Sequence, residues 1–484
     1  SAGTMTVAGK VTTQSADFNE GSTGTVGELA APTITHDGSM TITTASGVTS
    51  LTNEGGELNI TTLAGADAGA DIVNQTGAQA TIATVTNGKT ATNVGTLNIA
   101  TGTFSGKVDN QTGGTFGSTA KITAAEFDNA GTANVVALDA TTIKNTAGTF
   151  TATGDVTGTT AENSAQMNLA DATVTTVKNL TGGVMQATGT VDTDDFQNAA
   201  DATIATLDAV QFTNTAGKVT SGTAMTIGTG TNEAEIAANQ FTVTTGFTNN
   251  KTLAATGAAD VTAFKQGAEG TATFANVSFK GASGDDGLNG SVTSSGTMTV
   301  ADGAVYDGAA TVNANVLSVL GDLTAKTVAA TGATTVTGSL AVTEGATLAD
   351  TTVNASGSLT TVGASTITSL SMAEGATLTN GAATSDVLTI TTGTQLDGVT
   401  YNQKNGTIAF SDGKWFTNST INIEGGALDM ATMANNTLGE GNTYTISGSG
   451  AGAVGDEMVE SDWKDGRTVV TVGTLDSNSL VTLS

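Results

Sequence analysis

Asparagine recurs along this sequence at a near-constant interval, and that interval limits the fold more than any other feature. From Asn53 to about Asn249, each of these asparagines follows an apolar residue by two positions, and Gly follows most of them two or three positions later. The most regular members, separated by steps of 19, 17, 19, 16, 18, 16, 19 and 16 residues, are Asn74, Asn93, Asn110, Asn129, Asn145, Asn163, Asn179, Asn198 and Asn214. A repeat of about 18 residues cannot bury a core alone, so it must stack on its neighbours.

Short stretches of alternating apolar and polar residues fill each repeat, as in Thr96-Leu97-Asn98-Ile99. Such period-two stretches between Asn and Gly indicate strands joined by turns. We therefore predict an all-β fold, a parallel β-helix (β-solenoid) of about 18-residue coils. Equivalent residues would then stack about 4.8 Å apart, close enough for asparagine amides to hydrogen-bond from coil to coil and to turn backbone groups. The alternative is that Asn is simply a common turn residue.

The repeat signature changes twice, which suggests three parts. Residues 1–290 carry the Asn-x-x-Gly coils, and residues 291–400 continue the solenoid with a Gly-x-Leu/Met signature at Gly296, Gly321, Gly338 and Gly357. Residues 401–484 concentrate aromatic and charged residues, among them Trp415, Trp463 and the single arginine, Arg467. We interpret this part as a distinct C-terminal capping or docking segment with hairpin strands at 443–447 and 467–472, because a bare terminal coil exposes strand edges.

Composition excludes several classes of partner. The formal net charge is −29, with 15 Lys and Arg against 44 Asp and Glu, which argues against nucleic acid because phosphate binding needs clustered cations. No apolar run approaches the length of a membrane span. A single Pro and only 12% charged residues argue against disorder. The start at Ser-Ala-Gly is typical of a secreted chain processed at its N-terminus.

Candidate chemistry is sparse. His36 is the single histidine and there is no Cys, so the usual nucleophile–histidine and zinc arrangements are not expected, and we predict that His36 is a solvated turn residue. Carboxylates such as Asp192, Asp194 and Asp195 could in principle serve a hydrolase, but acidic turn residues are expected in so acidic a chain. We predict no enzyme activity and no cofactor.

Calcium is the one ligand with a local signal. The segment Gly281–Gly290, GASGDDGLNG, is similar to one copy of the Gly- and Asp-rich calcium repeat of β-roll toxins. Asp285 and Asp286 stand at the ligand positions. Because calcium needs six to eight oxygen ligands and only one copy is present, an acidic turn between the two parts of the solenoid is the favoured interpretation, and a calcium site is the alternative.

The Thr/Ala/Gly/Asn composition, the absence of Cys and repeats such as NVGTLNIATGTF and NTAGTFTATGDV resemble the passenger regions of bacterial autotransporters and filamentous-haemagglutinin-like surface proteins. The resemblance covers most of residues 1–400 and is one of style and period. It implies a β-helix at the bacterial surface, in an extracellular location. Two expectations follow: a non-enzymatic structural protein that self-assembles head-to-tail into filaments or a surface layer, or an adhesin rod that binds host or neighbouring cells. A polysaccharide-active enzyme is the least favoured class.

One duplication bears on assembly. Gly3–Ala8 and Gly296–Ala301 are the same six residues, GTMTVA. Since the second copy lies inside the repeat array, the first is expected to be a repeat strand as well. Residues 1–10 would then form an exposed coil edge, which we expect the C-terminal segment of a neighbouring copy to cover in a homopolymer.

Overall fold

The computed structural model describes residues 3–284, 287–393, 396–410 and 416–425, together with the backbone of four short strands at 443–448, 452–453, 469–475 and 481–482. Within these residues all regular secondary structure is β-strand. The chain forms two compact units, Ser1–Ala238 and Asn239–Ser484.

The strands that begin in the first unit are β1 (Thr4–Thr12), β2 (Ser15–Phe18), β3 (Thr23–Ala30), β4 (Thr33–Val48), β5 (Ser50–Gly65), β6 (Ala70–Asn74), β7 (Gln79–Asn93), β8 (Thr96–Phe104), β9 (Lys107–Asn110), β10 (Thr115–Gly117), β11 (Lys121–Asn129), β12 (Thr132–Val135), β13 (Ala137–Asn145), β14 (Thr149–Ala152), β15 (Asp155–Asn163), β16 (Gln166–Leu169), β17 (Asp171–Asn179), β18 (Val184–Asn198), β19 (Asp201–Asn214), β20 (Lys218–Asn232) and β21 (Glu235–Asn249).

The strands that begin in the second unit are β22 (Thr252–Thr262), β23 (Phe264–Gln266), β24 (Thr271–Lys280), β25 (Ala282–Gly284), β26 (Ser291–Val300), β27 (Val305–Tyr306), β28 (Thr311–Val319), β29 (Asp322–Val336), β30 (Ser339–Val353), β31 (Ser358–Thr361), β32 (Ala364–Met372), β33 (Thr377–Asn380), β34 (Val387–Gly393), β35 (Leu396–Asp397), β36 (Thr400–Gln403), β37 (Thr407–Phe410), β38 (Phe416–Thr417), β39 (Thr420–Ile423), β40 (Thr443–Gly448), β41 (Gly452–Ala453), β42 (Val469–Leu475) and β43 (Val481–Thr482).

One coil shows how the sequence makes the fold. Between residues 96 and 110 the chain forms three strand segments, 96–99, 101–104 and 107–110, which we call the first, second and third segments of a coil. Alternate side chains point inward, and Leu97, Ile99, Phe104 and Val108 are at most 2% exposed. Burial of such side chains stabilises the fold by about 1.5–3 kcal/mol each. The core of each unit is therefore a stack of short apolar layers, one layer for each coil.

Successive coils pair through parallel strands, in register. Thr96–Asn98 lies beside Thr115–Gly117, which lies beside Thr132–Asn134, and the same segment of each coil meets its counterpart in the next throughout both units. The prediction of an all-β parallel solenoid with coils of about 18 residues is confirmed. The boundaries proposed at 290/291 and 400/401 stay a prediction.

Two details differ from the sequence interpretation. Of the four Gly-x-Leu/Met motifs, the last three align, with Leu323 beside Leu340 and Leu340 beside Leu359. The first does not, because Met298 pairs with Leu317 in another segment of the coil. The predicted C-terminal hairpin is also wrong. β40 pairs in parallel with β39 and with β42, so these strands continue the solenoid pattern, in which parallel neighbours need a crossover connection.

The turn after the third segment explains the glycine of the motif. Gly148 has φ +64°, and a Cβ added there would lie 1.9 Å from the carbonyl oxygen of Gly131 in the preceding coil. The left-handed conformation favours glycine, and the stacked turns leave no space for a side chain. Glycine is required here by both constraints together.

We predict that Gly148→Ala lowers the stability of the first unit by about 2 kcal/mol or more, because it combines backbone strain with a steric clash. Gly222→Ala is the matched control, since nothing lies within 4 Å of its added Cβ. Urea unfolding followed by circular dichroism measures both variants. Equal midpoints for the two would contradict this explanation of the turn.

Candidate functional site

The most extensive polar feature of the first unit is a buried column of asparagine side chains, one for each coil from Asn53 to Asn232. Each Nδ2 donates to the Oδ1 of the next asparagine along the column, over 2.7–2.9 Å. We call this set the asparagine column; its members are Asn53, Asn74, Asn93, Asn110, Asn129, Asn145, Asn163, Asn179, Asn198, Asn214 and Asn232. All are at most 1% exposed. The structure thus brings together all nine asparagines singled out from the sequence.

The second N–H group of the side-chain amide donates a hydrogen bond to a backbone carbonyl oxygen near the turn. Asn93 donates to the Asn110 Oδ1 atom at 2.7 Å and also to the Thr115 carbonyl oxygen at 2.9 Å. Asn110 and Asn145 repeat this arrangement, with the carbonyl oxygens of Thr132 and Gln166 at 3.0 and 2.8 Å. In most coils the amide therefore links its own coil to the following one through both side chain and backbone. Because all the Nδ2–H groups point the same way, the aligned dipoles strengthen one another.

His36 occupies the N-terminal end of this column. It lies in β4 beside Asn53 of β5 and beside Phe18 of β2, is 0% exposed, and its Nδ1 atom lies 2.6 Å from the Asn53 Oδ1 atom. Since the Asn53 amide donates onward, Nδ1–H is the donor, and Nε2 is buried without a hydrogen-bond partner. The prediction that His36 is a solvated turn residue is wrong, because its side chain points inward from a strand.

Burial lowers the pKa of the His36 imidazole, although the hydrogen bond to Asn53 and the nearby Asp37 carboxylate act in the opposite direction. The Phe18 ring, whose centroid lies 6.5 Å from that of His36, helps to exclude the water that would solvate a charged imidazole. The folded first unit therefore favours the neutral tautomer that completes the column.

The second unit has the same column position but fills it with mixed residues. Asn249 donates to Gln266 at 3.1 Å, and Thr361 and Asn380 hydrogen-bond at 3.2 Å. Between these polar stretches the position is apolar, for example at Val342, which is the register partner of Thr361. This substitution of apolar residues for amides is why the Asn signature fades in the second half of the sequence.

Opposite charges on neighbouring coils form a second set of contacts, on the outer surface of the third segments. Lys107 bridges to Asp128, and Lys144 and Lys178 lie 3.1 and 3.0 Å from Glu126 and Glu162. The Lys144 ammonium lowers the pKa of Glu126. Exposed pairs of this kind contribute little stability.

The first coil is open on one side. β1 pairs with β3, and no strand of the described residues pairs with its other edge. Its inward side chains Met5, Val7 and Val11 are only partly buried. In the next coil, Val26 lies beside Val7 and Leu29 lies beside Val11. Both Val26 and Leu29 are 1% exposed. The apolar core and a row of backbone hydrogen-bonding groups are thus accessible at this end.

The other residues singled out from the sequence do not form a site among the described residues. Asp285, Asp286, Trp415, Trp463 and Arg467 lie outside the described residues. Asp192 and Asp194 are exposed on β18, and Asp195 accepts a hydrogen bond from Gln197 at 2.6 Å. Within the part of the chain that the structure describes, no group of three or more His, Asp or Glu side chains is arranged to hold a metal ion.

We predict that Asn129→Ala destabilises the first unit by about 2–4 kcal/mol, because the neighbouring amides lose their partners in a buried site. Asn168→Ala, which alters an outward-facing asparagine, is the control and should leave the urea midpoint nearly unchanged.

Asn129→Asp separates hydrogen bonding from packing: its carboxylate cannot donate to Asn145 at pH 7, but its protonated form can. The Asp variant should therefore recover part of its deficit relative to wild type near pH 4, and a deficit that does not change with pH would contradict the hydrogen-bonded column.

We also predict that stability of the first unit falls as pH is lowered from 7.5 towards 5. The unfolded His36 binds a proton at about pH 6.5, while the buried imidazole binds it only at lower pH, so acid favours the unfolded state in this window. His36 is the single histidine, and His36→Asn should abolish the pH dependence. A wild-type and a variant profile that coincide would contradict a buried neutral imidazole.

Among the described residues, no helix has the length and apolar character needed to cross a membrane. Comparison of the chain with protein-family models, with curated proteins and with solved structures finds no match. The resemblance to autotransporter passengers and filamentous-haemagglutinin-like proteins therefore rests on the residues quoted for it.

Proposed function

We propose that the protein is a non-enzymatic structural protein of the bacterial cell surface, and that copies of it stack head-to-tail through the ends of the solenoid. The observation that carries this proposal is the open first coil, with its unpaired strand edge and partly exposed Met5, Val7 and Val11. An edge of this kind is a template for further strand pairing.

The repeated hexapeptide gives an internal reference for what this edge lacks. In β26, Met298 and Val300 of the second GTMTVA copy lie between strands on both sides, β24 and β28, and are 1% and 0% exposed. In the first copy, Met5 and Val7 have a neighbouring strand on one side and are partly exposed. One additional coil would give β1 a neighbouring strand on both sides, as β26 has, although the two copies lie in different segments of the coil.

Strand polarity is compatible with a second copy in that place. All described pairings are parallel, including those of β39, β40 and β42 towards the C-terminus. A neighbouring copy in the same orientation could therefore continue the parallel pattern without reversing a strand. This supports head-to-tail stacking in preference to a two-fold, head-to-head contact, which would pair identical edges antiparallel.

The remaining parts of the proposal have less specific support. His36 is fully buried and holds the end of the asparagine column, so the single histidine is unavailable for acid–base chemistry. A cell-surface location with secretion is favoured by the composition and by the resemblance noted above. The second candidate function, which the same resemblance suggests, is an adhesin that binds host or neighbouring cells.

We predict that purified protein forms linear fibres in negative-stain electron microscopy and shows a concentration-dependent mass in sedimentation velocity. Val7→Lys should suppress both, because it places an inward-pointing charge in the open coil. Thr6→Lys is the matched control: the adjacent residue points outward, so the same charge should leave assembly intact. Single particles at all concentrations for the wild-type protein, or fibres that Val7→Lys does not affect, would contradict end-to-end assembly through this coil.

A further inference from the structure

A neutral polar surface runs along six consecutive coils of the first unit. We define the neutral face as the outward-pointing residues of their first segments: Gln79, Thr81, Thr96, Asn98, Thr115, Gly117, Thr132, Asn134, Thr149, Thr151, Gln166 and Asn168. None of these twelve positions is charged, although the chain carries a net charge of −29. The outward face of the third segments, by contrast, carries the lysine–carboxylate pairs.

The neutral face has a notch where Gly117 replaces the Thr or Asn that neighbouring coils carry. The notch opens into a shallow groove of about 290 Å³, lined by Thr81, Asn98, Thr115, Gly117, Ser118, Thr119 and Asn134, among others. That volume is near the lower end for ligand sites. The floor is the Gly117 backbone, and Phe116 beside it points into the core, with 0% exposure.

Asn98 and Asn134 form the two sides of the notch. They are the register partners of Gly117 on the preceding and following coils, so their backbones are about 9.6 Å apart. A Cβ on residue 117 would lie 2.5 Å from the Asn98 Oδ1 atom, which shows that this amide reaches over the glycine. Only the absence of a side chain at position 117 permits that position of the Asn98 amide.

Both amides are available to a ligand. In the described residues neither Asn98 nor Asn134 makes a side-chain hydrogen bond. Asn168, farther along the same column, is already engaged: it donates to the Thr151 hydroxyl at 3.2 Å and accepts from Gln166 at 2.6 Å. Within the part of the chain that the structure describes, Asn98 and Asn134 therefore present solvent-exposed amides without a protein partner at the two sides of the notch, where the groove gives a ligand room to approach.

The chemistry of the lining selects among ligand classes. Amides and hydroxyls both donate and accept hydrogen bonds, whereas the lining contains no charged group to attract an ion and no exposed aromatic ring to hold an apolar ligand. Such a set matches a molecule whose surface consists of uncharged hydroxyls. We propose that the Gly117 groove binds a sugar unit of a neutral polysaccharide. The proposal does not depend on end-to-end assembly, because a single copy carries the whole groove.

The test uses the full chain and ligand-observed saturation-transfer NMR. The probes are maltotetraose, cellotetraose and tetra-N-acetylchitotetraose, with tetragalacturonate as the charged comparison. We expect saturable binding of at least one neutral probe, with a dissociation constant in the millimolar range because few groups make contact. Binding should be at least about tenfold weaker for tetragalacturonate, since the groove offers no cation for its carboxylates and the whole chain repels it.

Three variants locate the site. Asn98→Ala and Asn134→Ala should each weaken binding roughly tenfold, which is the usual effect of losing one or two hydrogen bonds. Gly117→Thr should abolish binding by filling the notch and displacing the Asn98 amide. Asn168→Ala is the control on the same face and should bind as wild type. Unchanged circular dichroism and melting temperature would show that all four proteins are folded.

Any of three results would overturn the proposal. One is the absence of saturable binding of all three neutral probes to wild-type protein at tens of millimolar. The second is binding of a neutral probe that Asn98→Ala, Asn134→Ala and Gly117→Thr leave unchanged. The third is an affinity for tetragalacturonate equal to that for the neutral probe.

Discussion

A buried amide must satisfy two donors and an acceptor without water, and in this protein the next coil supplies most of those partners. Each member of the asparagine column donates one proton to its neighbour's Oδ1 and, in many coils, the other to a turn carbonyl. An asparagine out of register would leave several buried groups unpaired, each of which costs about 1–3 kcal/mol. Apolar layers of Leu, Ile, Val and Phe tolerate slippage better than this, so the column fixes the register while the layers supply most of the stability.

The same dependence on a neighbouring coil explains the arrangement at the N-terminal end of the column. A column needs a terminal donor, and His36 provides one through Nδ1–H while its burial keeps the ring neutral. Beyond it, no strand in the described part of the chain pairs with the outer edge of the first coil, and its apolar side chains are only partly buried. The property that lets coils stack leaves this strand edge open among the described residues, and our proposal of end-to-end assembly starts from it.

Much of this organisation is legible in the sequence, because a ladder interaction requires the same residue at the same place in every coil. The interval between asparagines gave the coil length, and the residue two positions before each asparagine gave the inward direction. His36 fits the same motif, with Ile34 two residues before it and Gly38 two residues after it, and could have been recognised by allowing other hydrogen-bonding side chains at the Asn position. Gln266, which follows Phe264 by two residues, could have been found in the same way.

Other features depend on which residues become neighbours, and corner lengths decide that. Coils vary from 16 to 21 residues along the column, so the alignment of Asn98, Gly117 and Asn134 does not follow from a fixed period. The C-terminal strands looked like a hairpin because their sequences alternate cleanly, yet alternation is common to parallel and antiparallel strands. Spatial register was needed to tell them apart and to reveal the neutral face.

The central claim, that a continuous hydrogen-bonded column of buried amides holds the coils together, can be tested by hydrogen exchange of asparagine side chains. With selective ¹⁵N-asparagine labelling, the Nδ2 protons of the column should exchange far more slowly than those of the exposed Asn98 and Asn134, because column amides exchange only when coils separate. Exchange of the column amides at the rate of the exposed ones would contradict the account.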